Sequence, residues 1–143
     1  MKKTIITLLS LLLFVSFGNA QSKKKSGKLD RKSYTCDVTP DGKKKAEPVK
    51  DELKFSAGTF QCKTLMDEGF KASEYDATVD SSASPPSISF TCNAKDDKDD
   101  TYTWTGTVSG DDIQGTGVLT NKKGKTKKSC TFSGTLKGKK PKK

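Results

Sequence analysis

Apolar and polar residues alternate with a period of two along most of this chain, and that rhythm constrains the fold more than any other feature. Tyr34, Cys36 and Val38 alternate with polar neighbours, and so do Leu53 and Phe55, Phe60 and Cys62, and Tyr75, Ala77 and Val79. The pattern continues through Ile88, Phe90, Cys92 and Ala94, then Tyr102, Trp104 and Val108, then Ile113 and Leu119, and closes on Cys130, Phe132 and Leu136. Such alternation predicts strands with one buried and one wet face, and Thr and Ser at the intervening positions suit the wet face. Turn-forming residues separate the runs: Pro40-Asp41-Gly42, Ala57-Gly58, Ser84-Pro85-Pro86, the acids from Asp96 to Asp100, Gly110-Asp111, and Asn121 to Gly124. A helix fits only between Thr64 and Gly69, as one or two turns.

Eight short antiparallel strands in meander order hide a common apolar face either in a closed barrel or between two sheets. Gly106, Gly115, Gly117 and Gly134 fall on the inward parity of the last three strands, which favours the barrel. A tightly curved wall needs room there for backbone bending or for a neighbouring ring, with Trp104 the expected ring. The fold class predicted is therefore all-β: a single small eight-stranded antiparallel meander barrel with basic arms.

Residues 1–20 read as a cleavable export signal. Lys2 and Lys3 precede an apolar run over 5–17, and Gly18-Asn19-Ala20 places small residues where a signal peptidase cuts, before Gln21. The run falls short of the roughly 20 apolar residues that span a bilayer, so no transmembrane span is expected. The product is expected in the periplasm or outside the cell. Residues 21–32 read as a basic disordered arm, 33–137 as the barrel domain and 138–143 as a basic tail.

Cys36, Cys62, Cys92 and Cys130 share the inward parity, and in an oxidising compartment an even number of cysteines predicts disulfides. Closure of a meander brings its first and last strands together, which favours Cys36 with Cys130 and leaves Cys62 with Cys92. The Tyr75 strand would separate that second pair, so either one of its cysteines lies past its strand end or the Tyr75 strand does not lie between them. A zinc site is disfavoured because no Cys-x-x-Cys pair occurs and the chain has no His.

The segment Tyr102-Thr-Trp-Thr-Gly-Thr-Val-Ser-Gly-Asp-Asp-Ile-Gln-Gly-Thr-Gly-Val-Leu119, with the later Cys130-Thr-Phe-Ser-Gly-Thr-Leu-Lys137, resembles the C-terminal hairpins of small bacterial secreted lipocalin-like, calycin-type barrels. Leu53-Lys-Phe55, Gly58-Thr-Phe60 and Gly69-Phe70 fit the same style. Leu119 replaces a second aromatic often found there, and the four cysteines are a departure. The resemblance implies a ligand held in the barrel mouth.

Chemistry is sparsely signalled. Without His, Ser-His-Asp and Cys-His arrangements cannot be built, and the carboxylates at 96–100 and 111–112 sit in expected turns, so no catalytic residue, cofactor or metal is assigned. Trp104, Tyr102, Phe90 and Tyr34 are the candidate ligand-binding residues, for a small apolar or amphipathic molecule. Lys122, Lys123, Lys125, Lys127 and Lys128 form a basic hairpin that would attract an acidic protein or glycan. Specific nucleic-acid recognition is not expected, since stacking aromatics in the arms and a recognition helix are both missing. The leading function is a monomeric, non-enzymatic binding protein. The alternatives are an inhibitor or adaptor that docks a loop onto another protein, and a polyanion-binding surface protein.

Overall fold

A computed structural model describes residues 27–42 and 46–138. The expected signal segment, residues 21–26 of the arm and residues 139–143 of the tail lie outside the described residues. The strands are β1 (Lys32–Pro40), β2 (Val49–Ser56), β3 (Thr59–Cys62), β4 (Ser73–Asp80), β5 (Ser87–Lys95), β6 (Thr101–Ser109), β7 (Asp112–Thr120) and β8 (Thr126–Leu136). Each pairs antiparallel with the next, and β8 pairs back to β1, which closes an eight-stranded meander barrel. Among the described residues the one α-helix is short: α1 (Lys63–Asp67) follows β3 where the sequence allowed one. Turn chemistry explains the tight connections: Ala57 and Gly58 take φ of 50° and 76°, the left-handed pair that joins two right-twisted strands in two residues.

The alternation translates directly into burial. Tyr34, Phe55, Phe60, Tyr75, Phe90, Tyr102, Trp104 and Phe132 all face inward and are buried. They form one continuous ring network. Phe55 lies 5.0 Å from Phe90, 5.1 Å from Tyr75 and 5.2 Å from Phe60, and Trp104 lies 5.2 Å from Phe132 and 5.5 Å from Phe60. The barrel is filled by its own side chains, and edge-to-face geometry such as that of Phe55 on Phe90 adds to the area term.

Two plugs close the ends. At one, Leu65 of α1 and Phe70 are buried. At the other, the 3-10 turn Gly27–Leu29 inserts Leu29, which is 0% exposed. The expected arm at 21–32 therefore stops short: its last residues belong to the fold. The reason is polar as well as apolar. The Leu29 N–H donates to the Tyr75 hydroxyl at 3.1 Å, that hydroxyl donates to Asp30 at 3.0 Å, and Asp30 also accepts from the Gly58 N–H at 2.9 Å.

The inward glycines serve the curvature, with different partners from the one expected. A Cβ on Gly106 would meet the Phe90 ring at 2.8 Å, and one on Gly115 would meet Phe132 at 2.6 Å and the Thr105 carbonyl at 2.1 Å. On Gly134 it would meet the Thr35 carbonyl at 2.2 Å and Cys36 Sγ at 2.6 Å. Trp104 is near only Gly117, at 3.5 Å, behind Tyr102 at 2.8 Å.

The predicted disulfides are not formed: Cys36, Cys62, Cys92 and Cys130 are free and buried. Strand register is the cause. Although β1 and β8 are neighbours, Cys36 sits opposite Gly134 and Cys130 opposite Pro40. That is an offset of several residues at about 3.4 Å each, against the roughly 4 Å between Cβ atoms that a bridge needs. β4 runs between β3 and β5, so Cys62 and Cys92 are also held apart. The thiols instead find polar partners: Cys62 donates to Asp51 at 2.9 Å, Cys92 to the Ser73 carbonyl at 3.6 Å, and Cys130 Sγ lies 3.4 Å from the Tyr102 hydroxyl. Burial pushes Cys36 and Cys92 up to about 12 and raises Cys62 and Cys130 as well. Neutral buried thiols are poor nucleophiles. The folded protein should therefore resist iodoacetamide at neutral pH and take up an adduct on every cysteine once urea unfolds it, as read by intact mass. A native mass that rises on reduction would contradict the register.

Candidate functional site

The α1 end of the barrel holds the inward-opening site. Asp51, at the start of the inward row of β2, organises it: one carboxylate oxygen accepts from the N–H of Thr64 at 3.2 Å and of Glu52 at 2.7 Å, and the other accepts from Cys62. α1 lacks a side-chain cap of its own, so Asp51 supplies an acceptor to its first turn from across the mouth. After the helix, Gly69 takes φ of 94° and turns the chain so that Phe70 meets Tyr102 edge-on at 5.9 Å. Tyr102 in turn stacks on Trp104, with ring centroids 5.2 Å apart and an interplanar angle of 18°.

Between these groups lies a chamber of about 100 Å³ whose lining includes Val38, Cys62, Leu65, Tyr102, Trp104 and Lys128. Trp104 is 1% exposed and its indole Nε1–H has no hydrogen-bond partner. Leaving such a donor unpaired costs about 1–3 kcal/mol. The Tyr102 hydroxyl is raised well above the ordinary phenol range, by burial first and by its bond to Cys130 second, and stays protonated as a potential donor.

Of the four aromatic residues singled out in the sequence, only Trp104 and Tyr102 meet here. Phe90 is packed in mid-barrel against Phe55 and Phe60. Tyr34 belongs to the far end: it pairs with Leu136, touches Phe55 at 6.1 Å, and burial and then the Asp111 charge push its hydroxyl up to about 12. Among the described residues its oxygen is the other buried side-chain polar atom without a hydrogen-bond partner. The mouth residues that sequence reasoning did not assign are Leu65, Cys62 and Asp51. The one-turn helix signal after Cys62 was the available pointer, because a short helix between two barrel strands must lie over an end.

The basic hairpin sits at the same end, since Lys128 lines the chamber. Lys122, Lys123, Lys125, Lys127 and Lys128 are all exposed, and Lys127 is paired with the carboxylate of Asp100. In the acidic loop, Asp96 accepts from the N–H groups of Lys98 and Asp100, both at 2.9 Å, so that carboxylate shapes its own turn. Among the described residues no cluster of three or more His, Cys, Asp or Glu side chains is arranged to hold a metal ion, and no helix is long and apolar enough to cross a membrane. No protein-family model, curated protein or solved structure matches the chain.

Proposed function

We propose that this is an exported, non-enzymatic binding protein that takes the end of a small amphipathic molecule into the α1 mouth. The observation that carries the reading is the unpaired Nε1–H of Trp104 beside the chamber walled by Val38, Leu65 and Tyr102. Its volume of about 100 Å³ equals the liquid share of a few water molecules, at ~30 Å³ each. Whole-ligand pockets are larger, roughly 300–1,000 Å³. The bound part is thus a short apolar tip with one acceptor, and the rest of the molecule lies outside, where Lys128 is the cation for a negative group in a lining that also holds Asp51 and Glu68. The lipocalin-like style of β6 to β8 supports the same reading, as does the export signal for a role outside the cytoplasm.

Trp104 is the sole tryptophan, so its emission reports on the chamber. Titrating the mature protein with dodecanoate below its micelle concentration should give a saturable change in that emission. Leu65→Trp, which fills the chamber, should abolish the change in a non-tryptophan readout such as titration calorimetry. Lys128→Glu should weaken binding by about tenfold, the equivalent of ~1.4 kcal/mol. Flat emission together with flat heats would end this reading.

The packed interior also favours a second reading, in which the barrel is a rigid scaffold and the β7–β8 hairpin docks into an acidic protein or glycan. Lys122, Lys123, Lys125 and Lys128 are exposed for that purpose. Binding of this kind would fall steeply with salt, whereas insertion of an apolar tip would not.

A further inference from the structure

The outer wall of the barrel is chemically divided. On β2 and β4 the outward residues are largely charged, as Lys50, Glu52 and Lys54 and as Glu74 and Asp76 show. Across β5, β6, β7, β8 and β1 they are not. One cross-strand row there consists entirely of threonine: Thr91 pairs with Thr105, Thr105 with Thr116, Thr116 with Thr131, and Thr131 with Thr39. The next row runs through Ser89, Thr107, Gln114, Ser133 and Asp37. Charged residues make up 31% of the chain, yet these two rows carry one, Asp37, and it is bonded to Lys50 at 2.6 Å. Solubility does not account for the difference, since the β2–β4 half of the wall achieves it with charges.

The same region is concave, and the inward glycines explain why. Gly106 and Gly115 face each other across β6 and β7, and the wall there has moved in until the Gly115 Cα lies too close to Thr105 and Phe132 for any side chain. The outer surface is dented by about 500 Å³ over Gly106 and Gly115, with Thr105, Thr116 and Thr131 on its sides. A second depression of about 690 Å³ lies over Gly134; it shares Asp37, Gln114 and Ser133 with the first, so the two run on from one another, and the charged residues Lys50, Asp112 and Lys137 stand only at this far end. Each is within the size range of ligand sites, roughly 300–1,000 Å³.

We propose that this hydroxyl-lined trough binds an uncharged polysaccharide chain. Hydroxyl and amide groups donate and accept, which suits a ligand made of hydroxyls. The rows present neither the charge that an ionic ligand needs nor the aromatic wall of an apolar site. The row from Ser89 through Thr107, Gln114 and Ser133 to Asp37 lines the trough and crosses four strand spacings, about 19 Å, so the trough fits a chain and not a single sugar. Length also follows from energetics. Each hydroxyl bond gained replaces one to water at a net of only about 1 kcal/mol or less, so affinity has to accumulate over many parallel bonds.

The test is affinity gel electrophoresis of the mature protein in gels containing dextran, laminarin, galactomannan or hydroxyethyl cellulose. Retardation by at least one of these is expected, unchanged by added salt and not competed by the same mass of its monosaccharide. Thr116→Val with Thr131→Val keeps β-branched side chains at exposed strand positions and so preserves the barrel. It should raise the apparent Kd by about tenfold, as expected for two lost hydrogen bonds, while Gln61→Val on β3, across the barrel from β7, should not. Normal mobility in all four gels overturns the proposal, as does retardation that the double variant retains or that salt abolishes. The dodecanoate response of Trp104 is untouched by these substitutions, so the two sites are tested independently.

Discussion

Gly115→Ala is expected to be among the most damaging single-methyl changes in the protein, lowering the unfolding free energy by more than about 3 kcal/mol. Its Cβ would lie 2.1 Å from the Thr105 carbonyl oxygen, 2.6 Å from the Gly106 Cα and 2.6 Å from the Phe132 ring. Two of those neighbours are backbone in a paired strand, which cannot yield without breaking ladder hydrogen bonds. Gly134→Ala should match it, because the Thr35 carbonyl and the Cys36 Cα stand at 2.2 and 2.7 Å. Gly117→Ala should cost clearly less: its nearest neighbours are the Tyr102 ring at 2.8 Å and Cys130 Sγ at 3.0 Å, both side chains with some freedom to move. Urea denaturation of the three variants reads the order directly. Since a small domain has only about 5–15 kcal/mol in hand, the first two variants should also express poorly. A Gly115→Ala protein within about 1 kcal/mol of the parent would mean that the wall does not bend inward at β6 and β7.

Alkali is expected to unfold the protein cooperatively between pH 9 and 12. Cys36 and Cys92 are each 1% exposed and are raised from 9.0 to about 12, and Tyr34 is raised from 10.0 to about 12, in every case mainly by burial. The sign follows from proton counting. The unfolded chain releases the thiol protons above pH 9 and the Tyr34 proton above pH 10 while the folded chain retains them, so this stability is complete below pH 9 and drains away as pH rises towards 12. Each fully buried thiol contributes a slope of about 1 kcal/mol per pH unit, and several act together. Circular dichroism or Trp104 emission followed against pH should show one transition in this window. Cys92→Ala should move its midpoint upward relative to the neutral-pH stability. Constant stability from pH 8 to 11 would show that the thiols reach solvent.

How far the sequence could be read varies with the kind of information each feature carries. Alternation at Tyr34-x-Cys36 or Tyr102-x-Trp104 is local: it needs only that successive side chains point to opposite faces, so strand positions and inward residues could be written down in advance. The turn pairs were equally local, Ala57-Gly58 among them, and so was the short helix after Cys62. The disulfides could not be read in the same way, because whether Cys36 meets Cys130 depends on the stagger of two strands about a hundred residues apart in sequence. The site was half legible for the same reason. Tyr102 and Trp104 are two apart on one strand and had to share a face, while Tyr34 and Phe90 were assigned by parity alone, which says in but not how far along the barrel.

By itself the sequence determined which side of each strand is apolar, where the chain turns, and that eight such strands must share one interior. Period-two patterning and turn chemistry act over a few residues and leave little choice there. Only the tertiary structure decided that eight rings fill that interior, that four thiols remain apart within it, and that a dented wall gathers threonines from five strands into one row. Those outcomes depend on register and closure, where a shift of two residues keeps every face the same and changes every neighbour.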